Sequence, residues 1–251
     1  LASRAVAAGC DRVVAVGGDG TMNEVAGALV GTGVVLGLVP CGSGDGFGRH
    51  LGIHGRPAHA FEILRRGQSR LIDTGVADGH PFFSVAGLGL EAEIAREFNQ
   101  GVHRGFLRYL TTGAAALRGC RPQEYAISHD GQREVIHAFT LAVANSSQYG
   151  NNAQIAPGAR MDDGVLDLVA VPPVTPWNAL PLVLRLFTGA LRGADGVTFR
   201  HAGRFVVERA APGLLHTDGE VHQAGPTIEF VIRPKSLRVL CPDFPPSAKN
   251  H

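Results

Sequence analysis

The sequence predicts two types of fold in one chain: an α/β region built on a parallel sheet, followed by a mainly-β, antiparallel sandwich-like region. Before residue 75, short apolar runs alternate with helix-forming segments, as in β-α-β units whose helices cover a parallel sheet. After residue 75, most segments read as short strands separated by turn sequences. We therefore predict an α/β domain over residues 1–75, a β-rich domain over 76–241 and a tail over 242–251.

The first region is predicted from buried apolar runs and from helix boundary residues. Pro57 opens one helix and Gly67 follows its end, the usual positions of these two residue types. The predicted elements are buried strands over residues 13–16 and 34–39, and helices over residues 21–29 and 57–66. Residues 1–10 also have the composition of a helix, and they lead directly into a buried strand. A parallel sheet usually has an earlier strand beside such a start, so we expect further residues upstream.

The second region is predicted to be mainly antiparallel. Asp78-Gly79-His80 and Asp130-Gly131 have the composition of tight turns between strands. The predicted strands cover residues 71–77, 82–86, 124–129, 134–143, 165–171, 204–208, 227–232 and 237–240. Helices are predicted over residues 91–98, 105–117 and 177–191.

Composition narrows the class of protein. Hydrophobic residues make up 45% of the chain and charged residues 18%, which is typical of a folded globular protein. A net charge of +1, without blocks of like charge, argues against a nucleic-acid partner. The uncharged stretch over residues 25–44 is interrupted by glycines and Pro40, so we predict no transmembrane segment. The four cysteines form no CxxC pair, which favours reduced thiols and a cytoplasmic location.

A glycine-rich loop follows the first predicted strand. The sequence GGDGT occupies residues 17–21, directly before a predicted helix. Glycines let backbone amides approach an anion closely, and a helix N-terminus adds partial positive charge. The chain has only two lysines, Lys235 and Lys249, so a phosphate site would need backbone amides, arginine or a metal. On the glycines alone, an ordinary strand-to-helix turn remains an equal alternative.

Four motifs follow one another along the chain: GGDGTMNEV, PCGSGDGFGR, the segment over residues 145–167, and TDGE. Together they resemble the diacylglycerol kinase catalytic domain superfamily, which includes sphingosine and ceramide kinases. GGDGTMNEV at residues 17–25 resembles its nucleotide-binding motif, and PCGSGDGFGR at residues 40–49 resembles its second glycine loop. Residues 145–167 and the TDGE sequence at residues 217–220 resemble later motifs of the same family. The resemblance implies an ATP-dependent lipid kinase that uses Mg²⁺ and a hydroxyl-bearing lipid, such as diacylglycerol or a sphingoid base, at a membrane surface. It leaves open whether the protein is a homodimer, and it implies only transient membrane association.

The resemblance also implies roles for individual residues. Asp19 would act through the phosphate-bound magnesium or as the base, although it could instead cap a helix. Glu220 matches the glutamate that accepts the proton in bacterial members. We expect Asp218 and Glu220 to alternate along a strand and face the same way, with a simple Asp218-Gly219 hairpin turn as the alternative. The residues expected to bind nucleotide are Gly17, Gly18, Asp19, Gly20, Thr21, Met22, Asn23 and Ser43.

A structural magnesium site is implied as well. Asp163 matches a metal ligand of the bacterial enzymes, with main-chain oxygens of Arg160 and Val165 completing the set, and hard oxygen ligands suit magnesium. An Asp163-Gly164 turn is the plain alternative, and both can hold together.

Three departures and two alternatives qualify the resemblance. Asp45-Gly46 stands where the bacterial diacylglycerol kinases usually have Asn-Asp, and Glu91 stands where the family commonly has Asp. Family members also carry an upstream strand and phosphate loop, which we expect to precede this sequence. The alternative functions are an NAD kinase-like enzyme with a soluble acceptor and a non-catalytic lipid-binding domain.

Overall fold

The fold is taken from a computed structural model, which describes residues 1–42, 44–99, 121–174 and 176–242. The predicted helix over residues 105–117 and the predicted nucleotide contact Ser43 lie outside these ranges. Within the ranges, no helix combines the length and apolar character needed to cross a membrane.

The N-terminal half alternates helices and strands as predicted. Its elements are α1 (Ala2–Ala7), β1 (Arg12–Gly17), α2 (Asp19–Leu29), β2 (Val35–Pro40), α3 (Gly46–His50) and α4 (Pro57–Arg66). β1 and β2 pair in parallel, with Arg12 opposite Val35. β1 is less buried in the described residues than the prediction has it, although Ala15 is 1% exposed. β1 is the end strand of its sheet in the described part of the chain, and its side chains Val14 and Val16 are 42% and 60% exposed.

The C-terminal half is rich in strands. Its elements are β3 (Gln68–Ala77), β4 (His80–Phe82), β5 (Val85–Gly89), α5 (Leu90–Asn99), β6 (Gln123–His129), β7 (Gln132–Ala138), β8 (Thr140–Ala144), β9 (Leu166–Val171), α6 (Pro176–Thr188), a 3₁₀ turn (Leu191–Gly193), β10 (Thr198–Ala202), β11 (Arg204–Arg209), β12 (Gly213–Thr217), β13 (Glu220–Ala224) and β14 (Thr227–Cys241).

Five of the predicted segments differ from the observed elements. The predicted strands over residues 82–86 and 134–143 are each divided, because the chain passes from one sheet to the other near Phe83 and near Phe139. The strands predicted over residues 227–232 and 237–240 form the single strand β14, with a register shift between Arg233 and Leu237. The predicted helix over residues 177–191 ends at Thr188, before Gly189 with φ +71°.

Two sheets enclose the main core. In the described residues, one sheet has eight strands, in the order β1-β2-β14-β11-β6-β7, with β3 paired to β14 and β4 paired to β3; the other has the order β10-β9-β8-β5-β12-β13. Side chains from both sheets meet in one buried cluster that includes Tyr125, Leu141, Phe205, Leu215 and Phe230. This packing of two sheets confirms the predicted fold class, an α/β region followed by an antiparallel sandwich.

The last strand connects the two halves. Near its C-terminal end, β14 pairs in parallel with β2, with Arg238 opposite Val35. At its N-terminal end, β14 pairs with the sandwich strand β11. One strand therefore belongs to both halves, which share a continuous sheet. The domain limits at residues 75 and 241 stay a prediction.

Candidate active site

A cleft of about 960 Å³ lies between the two halves of the chain. Its walls are the loop between β1 and α2, the loop between β2 and α3, the crossing between β4 and β5, and the turn between β12 and β13. Residues 149–153 and helix α5 complete it. The fold therefore brings together both glycine loops and the TDGE segment, which are far apart in the sequence.

The first glycine loop joins the end of β1 to the first turn of α2. The N-cap residue of α2 is Gly18, which has no side chain and so cannot cap the first N–H groups of the helix. Met22 is fully buried in the core and Gly17 lies behind Thr21, so neither residue lines the cleft. The predicted nucleotide contacts that do line the cleft are Gly18, Asp19, Gly20, Thr21 and Asn23.

The two glycine loops touch each other through backbone atoms. A Cβ added to Gly42 would lie 2.8 Å from the Cα of Gly18, so a side chain at residue 42 would push the loops apart. The N–H of Gly42 donates to Oδ1 of Asp45 at 3.0 Å, and the N–H of Cys41 donates to the carbonyl of Gly17 at 2.8 Å. Glycine at residue 42 is therefore required by the close approach of the loops.

Asp19 links the two loops through its carboxylate. The carboxylate lies near the backbone N–H groups of Phe47, Asp45 and Gly46, at the start of α3, and near its own N–H, and these groups lower its pKa. Burial nevertheless raises the pKa of Asp19 above its usual value, since desolvation outweighs the effect of these groups. Burial and the nearby charge of Asp19 also raise the pKa of Asp45. Asp19 thus contacts the helix after the second loop as well as the first turn of its own helix.

The second loop also contacts the sandwich half. A Cβ on Gly46 would lie 2.4 Å from the carbonyl oxygen of Tyr149, so this loop packs directly against the residues after β8. Nδ1 of His50 lies 3.0 Å from Oγ of Ser147 and accepts the N–H of Ser147 at 3.2 Å. Burial lowers the pKa of His50 to about 4, so the ring is neutral near pH 7 and keeps this acceptor. These contacts fix the position of the second loop in the cleft.

The TDGE segment forms the turn of a hairpin. Asp218 and Gly219 have φ values of +50° and +87°, and β12 pairs with β13 so that Thr217 faces Glu220. The expectation that Asp218 and Glu220 alternate along one strand is therefore wrong, and the turn alternative is correct. Positive φ at two successive residues is the reason, because this geometry reverses the chain between the two carboxylates.

Asp218 holds the crossing between β4 and β5. Its carboxylate accepts the N–H groups of Phe83 at 2.7 Å and of Ser84 and Val85 at 2.9 Å each. Burial raises the pKa of Asp218 to about 6 despite these three donors. Glu220, in contrast, is exposed and lines the cleft. Of the two carboxylates, Glu220 is the one available to a ligand.

The same crossing is held from its other side by Asn145. Its amide nitrogen donates to the carbonyls of Asp73 and Phe83, both at 2.9 Å, and its backbone N–H donates to the carbonyl of Ser84 at 2.9 Å. The cleft wall between β4 and β5 is therefore hydrogen-bonded to both neighbouring segments of the sandwich.

The predicted metal ligands lie outside the cleft. Oδ1 of Asp163 accepts the N–H of Val165 at 3.3 Å, while the Arg160 guanidinium binds Asp162 at 3.0 Å. Burial raises the pKa of Asp163, and the carboxylates of Asp162 and Asp73 add to this effect. A divalent cation would relieve that repulsion, so the donor chemistry fits magnesium. In the described ranges, however, no three His, Cys, Asp or Glu side chains are grouped as a metal site.

The cleft lining is acidic. Among the described lining residues there is no lysine or arginine. The acidic residues are Asp19, Glu24, Glu91, Asp218 and Glu220, and the histidines are His80, His216 and His222. A polyphosphate would therefore bind to this described lining through backbone N–H groups, neutral side-chain donors such as Thr21 and an accompanying cation.

Several cleft residues were not identified from the sequence. Tyr149 donates its hydroxyl hydrogen to Glu91, whose Oε2 lies 3.5 Å from Nε2 of His216. The rings of His80 and His222 stack with centroids 3.8 Å apart. Glu91 was noted only as a departure from the family pattern, and single histidines in polar stretches carry no local signal of a cleft position.

Both halves of the chain match families of known proteins. Residues 1–77 match the diacylglycerol kinase catalytic domain, and residues 84–241 match the YegS C-terminal NAD kinase beta sandwich-like domain. A Pseudomonas fluorescens protein named a probable lipid kinase YegS-like is 31% identical, over 98% of this chain and 82% of that protein. A Mycobacterium tuberculosis protein named diacylglycerol kinase is also 31% identical, over 96% of this chain and 80% of that protein. An uncharacterized Synechocystis protein is 30% identical over 92% of this chain, which spans about half, 54%, of that relative.

Solved structures share the fold. A diacylglycerol kinase from Bacillus anthracis aligns with a TM-score of 0.72 at 17% identity, over 96% of this chain and 81% of that one. An NAD kinase from Archaeoglobus fulgidus in complex with ATP aligns with a TM-score of 0.54 at 13% identity, over 93% of this chain and 78% of that one. At such identities the likeness concerns the fold alone. The matches to both halves and the well-covered relatives at 31% identity show that the chain belongs to the diacylglycerol kinase catalytic domain family, with a YegS-type C-terminal sandwich.

Proposed function

We propose that this protein transfers the γ-phosphate of ATP to a hydroxyl group of a lipid, such as diacylglycerol or a sphingoid base. One observation carries the proposal: the first glycine loop and the exposed carboxylate of Glu220 line the same cleft. Phosphoryl transfer needs these two parts, a cradle for phosphates and a base for the attacking hydroxyl, in one place. The names of the relatives as lipid kinase and diacylglycerol kinase support the same reaction.

The nucleotide side would consist of the N-terminus of α2 and the loops around it. Backbone N–H groups of residues 18–23 would contact the phosphates, with the hydroxyl of Thr21 as a further donor. Because the described lining offers no lysine or arginine, we infer that ATP binds together with Mg²⁺. Bound magnesium would neutralise charge on the phosphates, and Asp19 is the carboxylate of the loop that could hold it. The ATP bound to the Archaeoglobus fulgidus NAD kinase of similar fold supports this choice of nucleotide.

Glu220 would act as the general base. Its carboxylate takes the proton of the acceptor hydroxyl while the acceptor oxygen bonds to the γ-phosphorus. The bond between that phosphorus and the β–γ bridging oxygen breaks, and ADP leaves with the bonding electrons. Asp218 does not compete for this role, because its carboxylate already accepts three backbone N–H groups.

The acceptor would enter beside the β4–β5 crossing. Pro81, Phe83, Val85 and Ala95 supply apolar surface to the cleft on the side of Glu220. Apolar walls with few polar groups suit the end of a lipid that carries its hydroxyl. Such a lipid resides in a bilayer, so we propose transient association of the protein with a membrane surface. A second Mg²⁺ with a structural role would bind Asp163 and the main-chain oxygens of Arg160 and Val165.

The test is a phosphorylation assay with γ-labelled ATP and Mg²⁺. The acceptors are diacylglycerol, sphingosine and ceramide in mixed micelles, with glycerol and NAD as soluble acceptors. We expect label in one or more lipids, and little in NAD or glycerol. Label in NAD alone would favour the NAD kinase-like alternative. Binding of lipid without transfer of label to any acceptor would favour the non-catalytic alternative and contradict the proposal.

A further inference from the structure

We propose that Glu91 and His216 are positioning residues, which fix the backbone of the turn that carries Glu220. The inference rests on the proposed role of Glu220 as the base, and concerns residues to which no role has been given so far. Both side chains are buried, with Glu91 6% and His216 4% exposed. They come from different elements, α5 and β12, and they meet next to the turn.

His216 contacts the turn through one ring nitrogen. The backbone N–H of Gly219 donates to Nδ1 of His216 at 3.3 Å. A nitrogen that accepts a hydrogen bond carries no proton, so the neutral ring has its hydrogen on Nε2. The tautomer is thus determined by the turn on one side of the ring.

Glu91 favours the same tautomer from the other side. Nε2 of His216 lies 3.5 Å from the acceptor oxygen Oε2 of Glu91, near it but without hydrogen-bond geometry. Tyr149 donates its hydroxyl hydrogen to this oxygen, which orients the carboxylate. The other oxygen, Oε1, is buried without a hydrogen-bond partner and lies where a Cβ of residue 87 would be, so Gly87 has to be a glycine. The order of contacts from α5 to the turn is Glu91, His216 and Gly219.

This arrangement gives the turn a second anchor. The first anchor is the Asp218 carboxylate on the β4–β5 crossing. That carboxylate fixes residue 218, whereas the next residue, Gly219, has a φ of +87°, which glycine adopts easily. The bond from Gly219 to His216 holds the backbone directly before Glu220. Loss of that bond is therefore expected to displace the proposed base without unfolding the hairpin.

The decisive comparison is His216→Asn against His216→Gln. The amide oxygen of asparagine can occupy the place of Nδ1 and accept the N–H of Gly219, whereas the amide of glutamine reaches the place of Nε2. We expect His216→Asn to keep kcat within about threefold of the starting protein and His216→Gln to lose about tenfold, with KM for ATP unchanged in both. Equal kcat values in the two variants would overturn the inference.

A second variant tests the contribution of Glu91. Glu91→Met removes both carboxylate oxygens at nearly constant side-chain length, and the matched control is Glu124→Met, on an exposed Glu124–His137 pair at 3.1 Å. We expect Glu91→Met to lower kcat about fivefold to tenfold with KM for the lipid unchanged, and the control to have no effect. A raised KM for the lipid with an unchanged kcat would contradict the inference, because it would assign Glu91 to direct binding of the acceptor.

Nuclear magnetic resonance separates this inference from the proposed function. In ¹⁵N-histidine-labelled protein, His216 should be the Nε2–H tautomer, and the amide hydrogen of Gly219 should exchange slowly. Glu91→Met should populate the other tautomer and speed that exchange. These readouts need no turnover, so they decide the geometry even if no acceptor is phosphorylated. An unchanged tautomer and unchanged exchange in Glu91→Met would overturn the inference.

Discussion

The first glycine loop and the hairpin turn at Asp218-Gly219 face each other across one cleft, but they are held in different ways. The glycine loop is positioned by its own strand and helix and by a backbone contact with Gly42. The turn is positioned by side chains, through the Asp218 carboxylate and the His216 ring. The difference fits the proposed chemistry. A phosphate cradle needs small residues and open amides, whereas a base needs one carboxylate at a defined place.

The two regions also differ in how much of their charge is available to a ligand. Asp19 is committed to backbone N–H groups at the start of α3, although it belongs to the loop proposed for phosphate. Glu220 is exposed, and the neighbouring Asp218 is the carboxylate used to hold the structure. Each region thus combines one anchoring carboxylate with groups that remain open to ligands. Substitutions in each region should therefore affect different kinetic constants.

Within the two glycine loops, the largest effect is expected from Asp19→Asn. Its amide group would present N–H donors to the N–H groups of residues 45–47, so the second loop would lose its anchor, and any contact with magnesium would weaken. We expect kcat/KM for ATP to fall about 100-fold. The measurement is steady-state kinetics with ATP varied. Asp130→Asn, in the exposed β6–β7 turn, is the control. Equal kinetics in the two variants would contradict the proposed role of Asp19 in the nucleotide site.

A smaller effect is expected from Gly42→Ala. The added methyl group would lie 2.8 Å from the Cα of Gly18 and 2.7 Å from Oδ1 of Asp45, so the two loops must separate. We expect KM for ATP to rise about tenfold and the free energy of unfolding to fall by about 2 kcal/mol. Gly27→Ala is the control for stability, since its added methyl meets no atom within 4 Å. If Gly42→Ala leaves KM for ATP unchanged, the contact between the loops has no part in nucleotide binding.

The smallest effect concerns pH and the contact between the second loop and the sandwich. The pKa of His50 is lowered from 6.5 to about 4 in the folded protein, so the unfolded chain binds a proton first as the pH falls. Stability from this group is complete above pH 6.5 and is lost as the pH falls towards 4. Because the ring is partly exposed, we expect a loss of only about 1 kcal/mol at pH 5. Urea unfolding at pH 7 and pH 5 should show a smaller acid loss for His50→Gln than for the starting protein; an equal loss would contradict the assignment.

Asp218 should change the pH dependence of the free energy of unfolding in the opposite direction to His50. Its folded pKa of about 6 lies above the usual value of 3.8, so the folded protein binds the proton first. The contribution of this group to stability is therefore greatest at low pH and declines as the pH rises from 3.8 through 6. Asp218→Asn should make the acid loss of stability larger, whereas His50→Gln should make it smaller.

The parts of this fold that sequence predicts well are those with local signals. The helix α4 is delimited by Pro57 and Gly67, and it begins and ends as expected. In contrast, β10 and β13 were missed because both are edge strands of the six-stranded sheet, with polar side chains that give no apolar alternation. The strand changes near Phe83 and Phe139 were also missed, since apolar residues continue through both crossings.

In the candidate site, too, the parts with local sequence signals could be predicted and the parts that depend on distant residues could not. Glycines before a helix are a local pattern, so residues 17–21 could be singled out as a candidate site, and four of these five residues line the cleft. The anchors of the turn join residues distant in the chain, such as His216 with Glu91 and Asp218 with Phe83. No spacing or composition rule connects such pairs. The expectation that Asp218 lies on a continuous strand with Glu220 is therefore wrong, whereas the Asp218-Gly219 composition alone indicates the observed turn.

The central claim is that the glycine loop and Glu220 form one catalytic site, and Glu220→Gln tests it most directly. The side chain is exposed, so this change should leave the free energy of unfolding and the affinity for ATP unaltered. Single-turnover transfer from labelled ATP to the accepted lipid should slow about 1,000-fold, as expected for loss of a general base. Transfer at the rate of the starting protein, with ATP bound equally well, would contradict the claim.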